Sequence, residues 1–142
     1  MKKILTIAML LIASVVNAQE WQTDLATALK ISKEKEQRIV LVFSGSDWCA
    51  PCIKLEKEIW ESEEFRTYAK DHFVLLRADF PRKKKNKISK EQQEKNNKLA
   101  EKYNTNGYFP FVVVLNSKGE VLGSTGYKKV SPTEYIKILT SF

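Results

Sequence analysis

The chain of 142 residues contains two cysteines, Cys49 and Cys52, separated by Ala50 and Pro51. Two thiols at this spacing can form a reversible redox pair, supply half of a metal site, or make a static cross-link. The thiolate is the reactive form both in disulfide exchange and in metal binding. The elements that set its ionisation therefore decide which chemistry the pair performs.

The residues around the cysteines predict a strand, a tight turn and a helix. The run IVLVFS before them is apolar and β-branched, as in a buried strand, and IKLEKEIW after them has apolar side chains at helical spacing. This order places Cys49 near the helix N-terminus, where unpaired N–H groups and the helix dipole favour a thiolate. Cys52, one turn further on, can expel a partner from a mixed disulfide. Pro51 suits the first turn, and Trp48 can shield the pair while the first sulfur stays exposed.

The rest of the chain predicts helices alternating with strands and a final hairpin. Apolar periodicity predicts a first helix over residues 20–37, and Ser62, Ser89 and Ser131 stand at helix N-cap positions. Further strands are predicted over residues 72–79, 110–116 and 120–126. The early strands are separated by helices and should be parallel, whereas the last two should be antiparallel.

The motif WCAPC, residues 48–52, resembles the active site of the thioredoxin family, because it follows a buried strand and opens a helix. The stretch YFPF adds to the resemblance, since it puts Pro110 where that family has a cis-proline facing the cysteines. The resemblance covers about residues 21–139. It implies an α/β thioredoxin fold, with a central mixed four-stranded sheet flanked by helices and an extra N-terminal helix.

The resemblance also implies an activity and roles for the site residues. The activity is that of a thiol-disulfide oxidoreductase acting on protein substrates, with Cys49 as the attacking thiol and Cys52 as the resolving thiol. The implied redox group is the Cys49–Cys52 disulfide itself, with no organic cofactor and no metal. The residues implied to bind substrate are Trp48, Ala50, Pro51, Phe109 and Pro110. Core packing is an equally good interpretation of Phe109.

Two positions depart from the family pattern. Many thioredoxins have a buried Asp six residues before the first cysteine, where this chain has Phe43, and a Lys in the next strand, which an alignment equates with Leu75. Replacing both together avoids leaving one charge buried and unpaired. Asp47 and Glu56 lie near Cys52 in sequence and are alternative candidates to accept its proton.

Two other functions stay open at this point. Cys49, Cys52 and His72 are the only Cys or His residues, so they could hold a copper ion in a carrier. A redox-inert domain that binds peptides is the other alternative. Among redox functions, Ala50-Pro51 is close to the Gly-Pro dipeptide of thioredoxin, which favours a reductant over an oxidant or an isomerase.

The first residues predict an export signal, residues 1–18, followed by a thioredoxin-like domain, residues 19–142. Lys2 and Lys3 precede an apolar run, and Ala18 ends it as a small residue before a cleavage point. The predicted location is therefore periplasmic or secreted. The predicted partners are protein thiols and disulfides, together with an upstream membrane or envelope thiol reductant, and the domain is expected to be a monomer.

A basic run, residues 82–87, is the second conspicuous feature of a chain whose formal net charge is +7. It is either a solvated loop or a docking patch for an acidic partner or an anionic membrane. No aromatic ladder accompanies its lysines, and the domain is predicted to be exported. Nucleic acid is therefore not expected as a partner.

Overall fold

The computed structural model describes residues 18–142, so the predicted export signal lies outside the described residues up to position 17. Five strands form one sheet in the order β1-β3-β2-β4-β5. The strands are β1 (Trp21–Gln22), β2 (Arg38–Ser44), β3 (Phe73–Asp79), β4 (Phe111–Leu115) and β5 (Val121–Thr125). β2 lies at the centre, parallel to β3 and antiparallel to β4, and β4 and β5 form the predicted hairpin.

Five α-helices cover the two faces of the sheet. They are α1 (Leu25–Lys35), α2 (Ala50–Leu55), α3 (Glu63–His72), α4 (Lys90–Tyr103) and α5 (Pro132–Thr140). α2 continues as a π-helical segment, Glu56–Trp60, and a 3₁₀ turn, Lys84–Asn86, lies between β3 and α4. The three predicted serine caps are confirmed, because Ser62, Ser89 and Ser131 each accept a hydrogen bond from the third residue beyond them.

The start of the domain differs from the prediction of one long helix and four strands. Trp21–Gln22 pairs with β3 as a fifth, edge strand, and the helix begins only at Leu25. Asp24 provides the reason, since its extended backbone stops the helix and its carboxylate accepts the N–H of Thr27. Helical periodicity in the apolar side chains did not reveal this short strand.

Alternation along β2 divides the core between the two faces of the sheet. Val40 and Val42 pack on the face that carries α2, the π-helical segment, α3 and α5. Phe43, fully buried, packs on the opposite face with residues of α1 and α4. β2 therefore has both sides covered, which is why it is a continuous apolar run.

Within residues 18–142, no helix is both long enough and apolar enough to cross a membrane.

Candidate active site

Cys49 and Cys52 lie where β2 passes through a tight turn into α2, as the sequence predicted. Cys49 is the N-cap of α2, and its Sγ accepts the N–H of Cys52 at 3.3 Å. The two cysteines form a disulfide with their Cα atoms 5.2 Å apart. A sulfur that already accepts a helix N-terminal N–H is placed to be stabilised as a thiolate once the disulfide is reduced.

The two cysteines are equally enclosed in the disulfide form. Cys49 is 5% exposed and Cys52 is 4% exposed, whereas Ala50 and Pro51 between them are exposed. The expectation that Cys49 stays open to solvent is therefore wrong for the oxidised state. The reason is geometric, because Cys49 Sγ points at the first turn of its own helix rather than outward.

The active-site loop, residues 45–49, is shaped by a glycine whose role the sequence did not reveal. The N–H of Cys49 donates to the carbonyl of Gly45 at 2.9 Å, which closes the turn. A Cβ on Gly45 would lie 2.3 to 2.6 Å from three atoms of the Trp48 indole, far closer than van der Waals contact. Gly45 is thus the residue that lets the Trp48 ring pack directly against the loop backbone.

Trp48 and Phe109 form one side of the site. Their rings meet edge to face at 5.4 Å, and Phe109 also contacts the ring of Phe80 at 5.5 Å. Pro110 follows Phe109 through a cis peptide bond and is buried beside the loop. Of the five residues predicted to bind substrate, Ala50 and Pro51 lie between the cysteines, and Trp48 contacts Phe109, which precedes Pro110.

Asp47 anchors the opposite side of the active-site loop. Its carboxylate accepts the N–H groups of Arg82 and Lys83 at 2.9 and 3.0 Å and the side-chain amide of Asn86 at 2.9 Å. These donors, led by the Arg82 N–H, lower the pKa of Asp47 to about 2. A carboxylate so occupied is a poor proton acceptor, which argues against Asp47 as the base for Cys52.

Two further contacts fix the loop to the end of β3. Ser46 donates both its N–H and its hydroxyl to the carboxylate of Asp79, at 2.9 and 2.6 Å. Trp48 Nε1 donates to the carbonyl of Phe80 at 2.7 Å. The buried Asn96 of α4 donates to the carbonyl of Asp79, which extends this support into the core.

The face beneath α2 carries an ion pair that the sequence alignment missed. Arg77 donates to Glu56, one turn beyond Cys52, at 2.7 Å, and its guanidinium lies 4.0 Å from the ring centre of Trp21. Arg77 is in register with Val42, whereas Phe43 lies on the other face of the sheet. Equating Phe43 with the buried Asp of the family was therefore wrong, because strand alternation directs its side chain away from α2 and puts Val42 on that face.

His72 does not complete a metal site with the cysteines. It ends α3 next to the first residue of β3, stacks on Tyr68 at 3.9 Å, and has Nδ1 2.8 Å from the Tyr68 carbonyl. The cysteines follow the C-terminal end of β2, whereas His72 precedes the N-terminal end of β3, which runs parallel to β2. A strand of seven residues separates these two ends of the sheet by about 20 Å. The three-ligand copper carrier is therefore excluded by distance. In the described part of the chain no three Cys, His, Asp or Glu residues cluster to hold a metal.

Comparison with known proteins identifies the class to which this fold and site belong. A family model described as a thioredoxin-like domain matches residues 25–142. The chain belongs to this family and is a thioredoxin-like thiol-disulfide oxidoreductase. Its redox group is the Cys49–Cys52 pair, and it needs no external cofactor.

The chain is similar to particular disulfide-exchange proteins. It is 35% identical to the disulfide bond reductase DsbH of Chlamydia pneumoniae over 122 residues, 86% of this chain and 71% of that protein. It is 42% identical over 60 residues to the thioredoxin-related protein DsbJ of the same organism, but covers 17% of that protein's length. A solved structure of a DsbH oxidoreductase superposes with a TM-score of 0.79 and 34% identity, covering 86% of this chain and 82% of the other.

Proposed function

We propose that this protein is an exported reductant of protein disulfides, with Cys49 attacking and Cys52 resolving. The Cys49 thiolate attacks a client disulfide, and one client thiolate leaves as a mixed disulfide forms. The Cys52 thiolate then attacks Cys49 Sγ, which releases the second client thiolate and forms the Cys49–Cys52 disulfide. Two electrons pass to the client, and a separate thiol reductant must restore the dithiol.

The assignment of the two roles rests on one observation, the position of Cys49 as N-cap of α2 with the Cys52 N–H on its sulfur. The helix terminus favours negative charge on that sulfur over the one a turn further on. Cys52 Sγ faces inward, 3.5 Å from the N–H of Gly45. The exposed Ala50 and Pro51 leave the segment between the two cysteines open to a client.

The proposed client groove is formed by Trp48, Ala50 and Pro51 on one side and by Phe109 and Pro110 on the other. Contact between the rings of Trp48 and Phe109 supports it, because this contact joins the two segments into one surface. Aromatic rings with a polar atom are good anchors for an extended peptide. The nearby Tyr108, 56% exposed, lies at the edge of this surface and is a further candidate.

The direction of exchange is supported by similarity to a protein named as a disulfide bond reductase and by the Ala50-Pro51 dipeptide. A reductant should have a reduction potential nearer the −270 mV of thioredoxin than the −120 mV of DsbA, both approximate values. Equilibration of the Cys49–Cys52 couple with glutathione measures it. A value near that of DsbA would make the protein an oxidant.

Export to a periplasmic or secreted location is proposed from residues 1–18. The mature chain should then begin at Gln19. Intact-mass measurement of the protein recovered from the extracytoplasmic fraction tests this start. Recovery of the full-length chain from the cytosol would refute the proposed location.

The activity is tested by reduction of insulin with the parent, Cys49→Ser and Cys52→Ser proteins. The parent should reduce insulin catalytically, and both variants should lose this activity. Cys52→Ser should also trap clients as mixed disulfides through Cys49, while Cys49→Ser should trap far less. Equal trapping by both variants would reverse or remove the assigned roles, and no turnover by the parent would favour a redox-inert binding domain.

A further inference from the structure

The basic segment, residues 81–90, presents a concentrated positive surface next to the active-site loop. Its cations are all exposed, and within residues 18–142 none of them lies within 4 Å of a carboxylate oxygen as an ion pair. They are Arg82, Lys83, Lys84, Lys85, Lys87 and Lys90. Like charges held this close repel one another, so the approach of a further anionic group stabilises the arrangement.

The segment is held in one place rather than left as a loose loop. The carboxylate of Asp47 accepts the backbone N–H groups of Arg82 and Lys83 and the side-chain amide of Asn86. The guanidinium of Arg82 lies 3.6 Å from the ring centre of Trp48. Both anchors belong to the active-site loop and precede Cys49 by one or two residues. The positive charges therefore have a fixed position relative to the reactive sulfur.

The segment also has a shape that fits an extended ligand. It borders a shallow concavity of about 390 Å³, whose basic lining residues are Arg82, Lys83, Lys84, Lys87 and Lys90. Lysine and arginine side chains around one concavity focus the field and raise the local concentration of an anion. None of the large exposed apolar side chains of the described residues lies in this segment. An anionic membrane would therefore be held by charge alone. A protein partner can also contact the adjoining Trp48, on which Arg82 stacks, so a protein anion is the better fit.

We propose that the basic segment docks an acidic stretch of a partner protein and presents that partner's disulfide, or its thiols, to Cys49. This inference rests on the proposed disulfide exchange and adds a partner class to it. The groove formed by Trp48 and Phe109 binds the residues around the reacting sulfur. The basic segment binds acidic residues further along the partner chain, and thereby discriminates among clients or electron donors by their charge.

The test compares two synthetic peptides, each with one internal disulfide, that differ only in four flanking Glu or four flanking Gln residues. The segment variant is Lys83→Gln/Lys84→Gln/Lys87→Gln. The control is Lys30→Gln/Lys33→Gln/Lys35→Gln, which removes the same charge from exposed positions on α1. Hydroxyethyl disulfide, small and uncharged, reports basal exchange. Parent and control should reduce the Glu peptide about tenfold faster than the Gln peptide at low salt.

In the segment variant the preference should fall to near unity while reduction of hydroxyethyl disulfide is unchanged. High salt should remove the preference in the parent as well. Equal rates of the parent on the two peptides would overturn the docking proposal and leave the exchange activity intact. Loss of preference in the control variant as well would overturn it too, because net charge would then be the cause.

A binding measurement separates the docking proposal from the proposed disulfide exchange, because it does not require any disulfide to be reduced. A fluorescent, cysteine-free peptide of the same Glu-rich sequence is titrated with the oxidised protein, and anisotropy is measured. Binding to parent and control but not to the segment variant supports the docking surface even without turnover. No binding to the parent overturns it. The protein is also sedimented with vesicles of phosphatidylcholine and phosphatidylglycerol. If it binds these vesicles through the same lysines but does not bind the peptide, the partner is a membrane and the protein-docking proposal is overturned.

Discussion

The active-site loop is held on its two sides by different kinds of force. On one side Gly45, Trp48 and Phe109 are fitted together mainly by shape, with no carboxylate among them. On the other side hydrogen bonds centred on carboxylates hold the loop: Ser46 donates to Asp79 at the end of β3, and Asp47 accepts N–H groups of the segment that follows β3. Steric fit between uncharged groups does not depend on pH, whereas a carboxylate-centred contact does.

This difference separates the tasks of the two sides. The packed side determines where the reacting sulfur and the client groove lie, and a small error in shape there misplaces both. The polar side determines where the basic segment lies relative to the loop. We therefore expect mutations on the packed side to reduce exchange with all clients, and mutations on the polar side to act mainly on charged ones.

The largest effect is expected from Gly45→Ala. Its new Cβ would occupy the position of the Trp48 ring, so the indole must move and the loop with it. Overpacking of this kind costs about 1–3 kcal/mol, and displacement of a reacting group by about 1 Å lowers rates about 10²-fold. Thermal unfolding and kcat/KM for insulin measure the two effects.

Gly126→Ala is the matched control for that change. A Cβ there would meet only the carbonyl of Pro110, at an ordinary 3.5 Å. Its Tm and activity should stay close to those of the parent. If both alanine variants lose activity equally, close packing of Trp48 against Gly45 is not what positions the loop.

Trp48→Phe should have the next largest effect. The ring is kept in part, but the carbonyl of Phe80 loses its donor and Arg82 loses much of its stacking surface. An unsatisfied, partly buried acceptor costs about 1 kcal/mol or more. We expect kcat/KM for insulin to fall several-fold, which corresponds to a similar free energy at the transition state.

Trp21→Phe makes the same chemical change away from the loop. Trp21 packs on Trp60 and Arg77, and its Nε1 donates to Gln19. It should lower the Tm and leave kcat/KM for insulin unchanged. A matching loss of kcat/KM in both tryptophan variants would mean that stability alone explains the effect.

Asp47→Asn should have a smaller effect that depends on pH. The folded pKa of Asp47 is about 2, below its ordinary 3.8, so its contribution to stability is complete above about pH 4 and is lost as pH falls through about 2. The difference in free energy of unfolding between parent and variant should be constant from pH 7 to 4 and shrink below that. Urea unfolding at several pH values measures it.

Asp71→Asn is the control for loss of one exposed carboxylate, since Asp71 is an exposed residue of α3. Its free energy of unfolding at pH 7 should stay close to that of the parent. A difference in free energy of unfolding for Asp47→Asn that is equally large at pH 2 and pH 7 would contradict this role of Asp47, because the effect would not depend on the charge of its carboxylate.

The sequence predicted those parts of the fold and site that depend on local chemistry. The helix after Cys52, the serine caps and the hairpin follow from spacing and turn residues, and all of them are present. The two-residue strand Trp21–Gln22 could not be predicted, because its only signal is pairing with a distant strand. The roles of Gly45 and Asp47 were missed for the same reason, since each is defined by groups that meet only after folding.

The alignment put the wrong residue of β2 on the α2 face, because successive side chains of a strand point to opposite faces of the sheet. Counting six residues back from Cys49 reached Phe43, but the side chain on the α2 face is that of Val42. The charged residue opposite Val42 is Arg77, and its partner Glu56 comes from the helix instead of the strand. An ion pair near Cys52 was therefore present where the alignment predicted only apolar residues.

The smallest effect is expected from Glu56→Gln, which removes the charge of that pair and keeps its shape. The side chains of Arg77 and Glu56 are 26% and 34% exposed, so solvent screens their attraction and the pair should contribute at most about 1 kcal/mol. Arg77 stays stacked on Trp21, which limits the loss further. Urea unfolding should show a decrease below about 1 kcal/mol, and Glu134→Gln, at a more exposed pair with Lys137, should show less.

Exchange kinetics decide whether the pair has a chemical role as well. Glu56 lies one turn after Cys52 and is the only carboxylate contact of Arg77 within 4 Å among residues 18–142. If it accepts the Cys52 proton, Glu56→Gln should change the pH profile of mixed-disulfide resolution, whereas Glu134→Gln should not. An unchanged profile together with the small stability loss would leave the pair a purely structural role beneath α2, with no part in proton transfer.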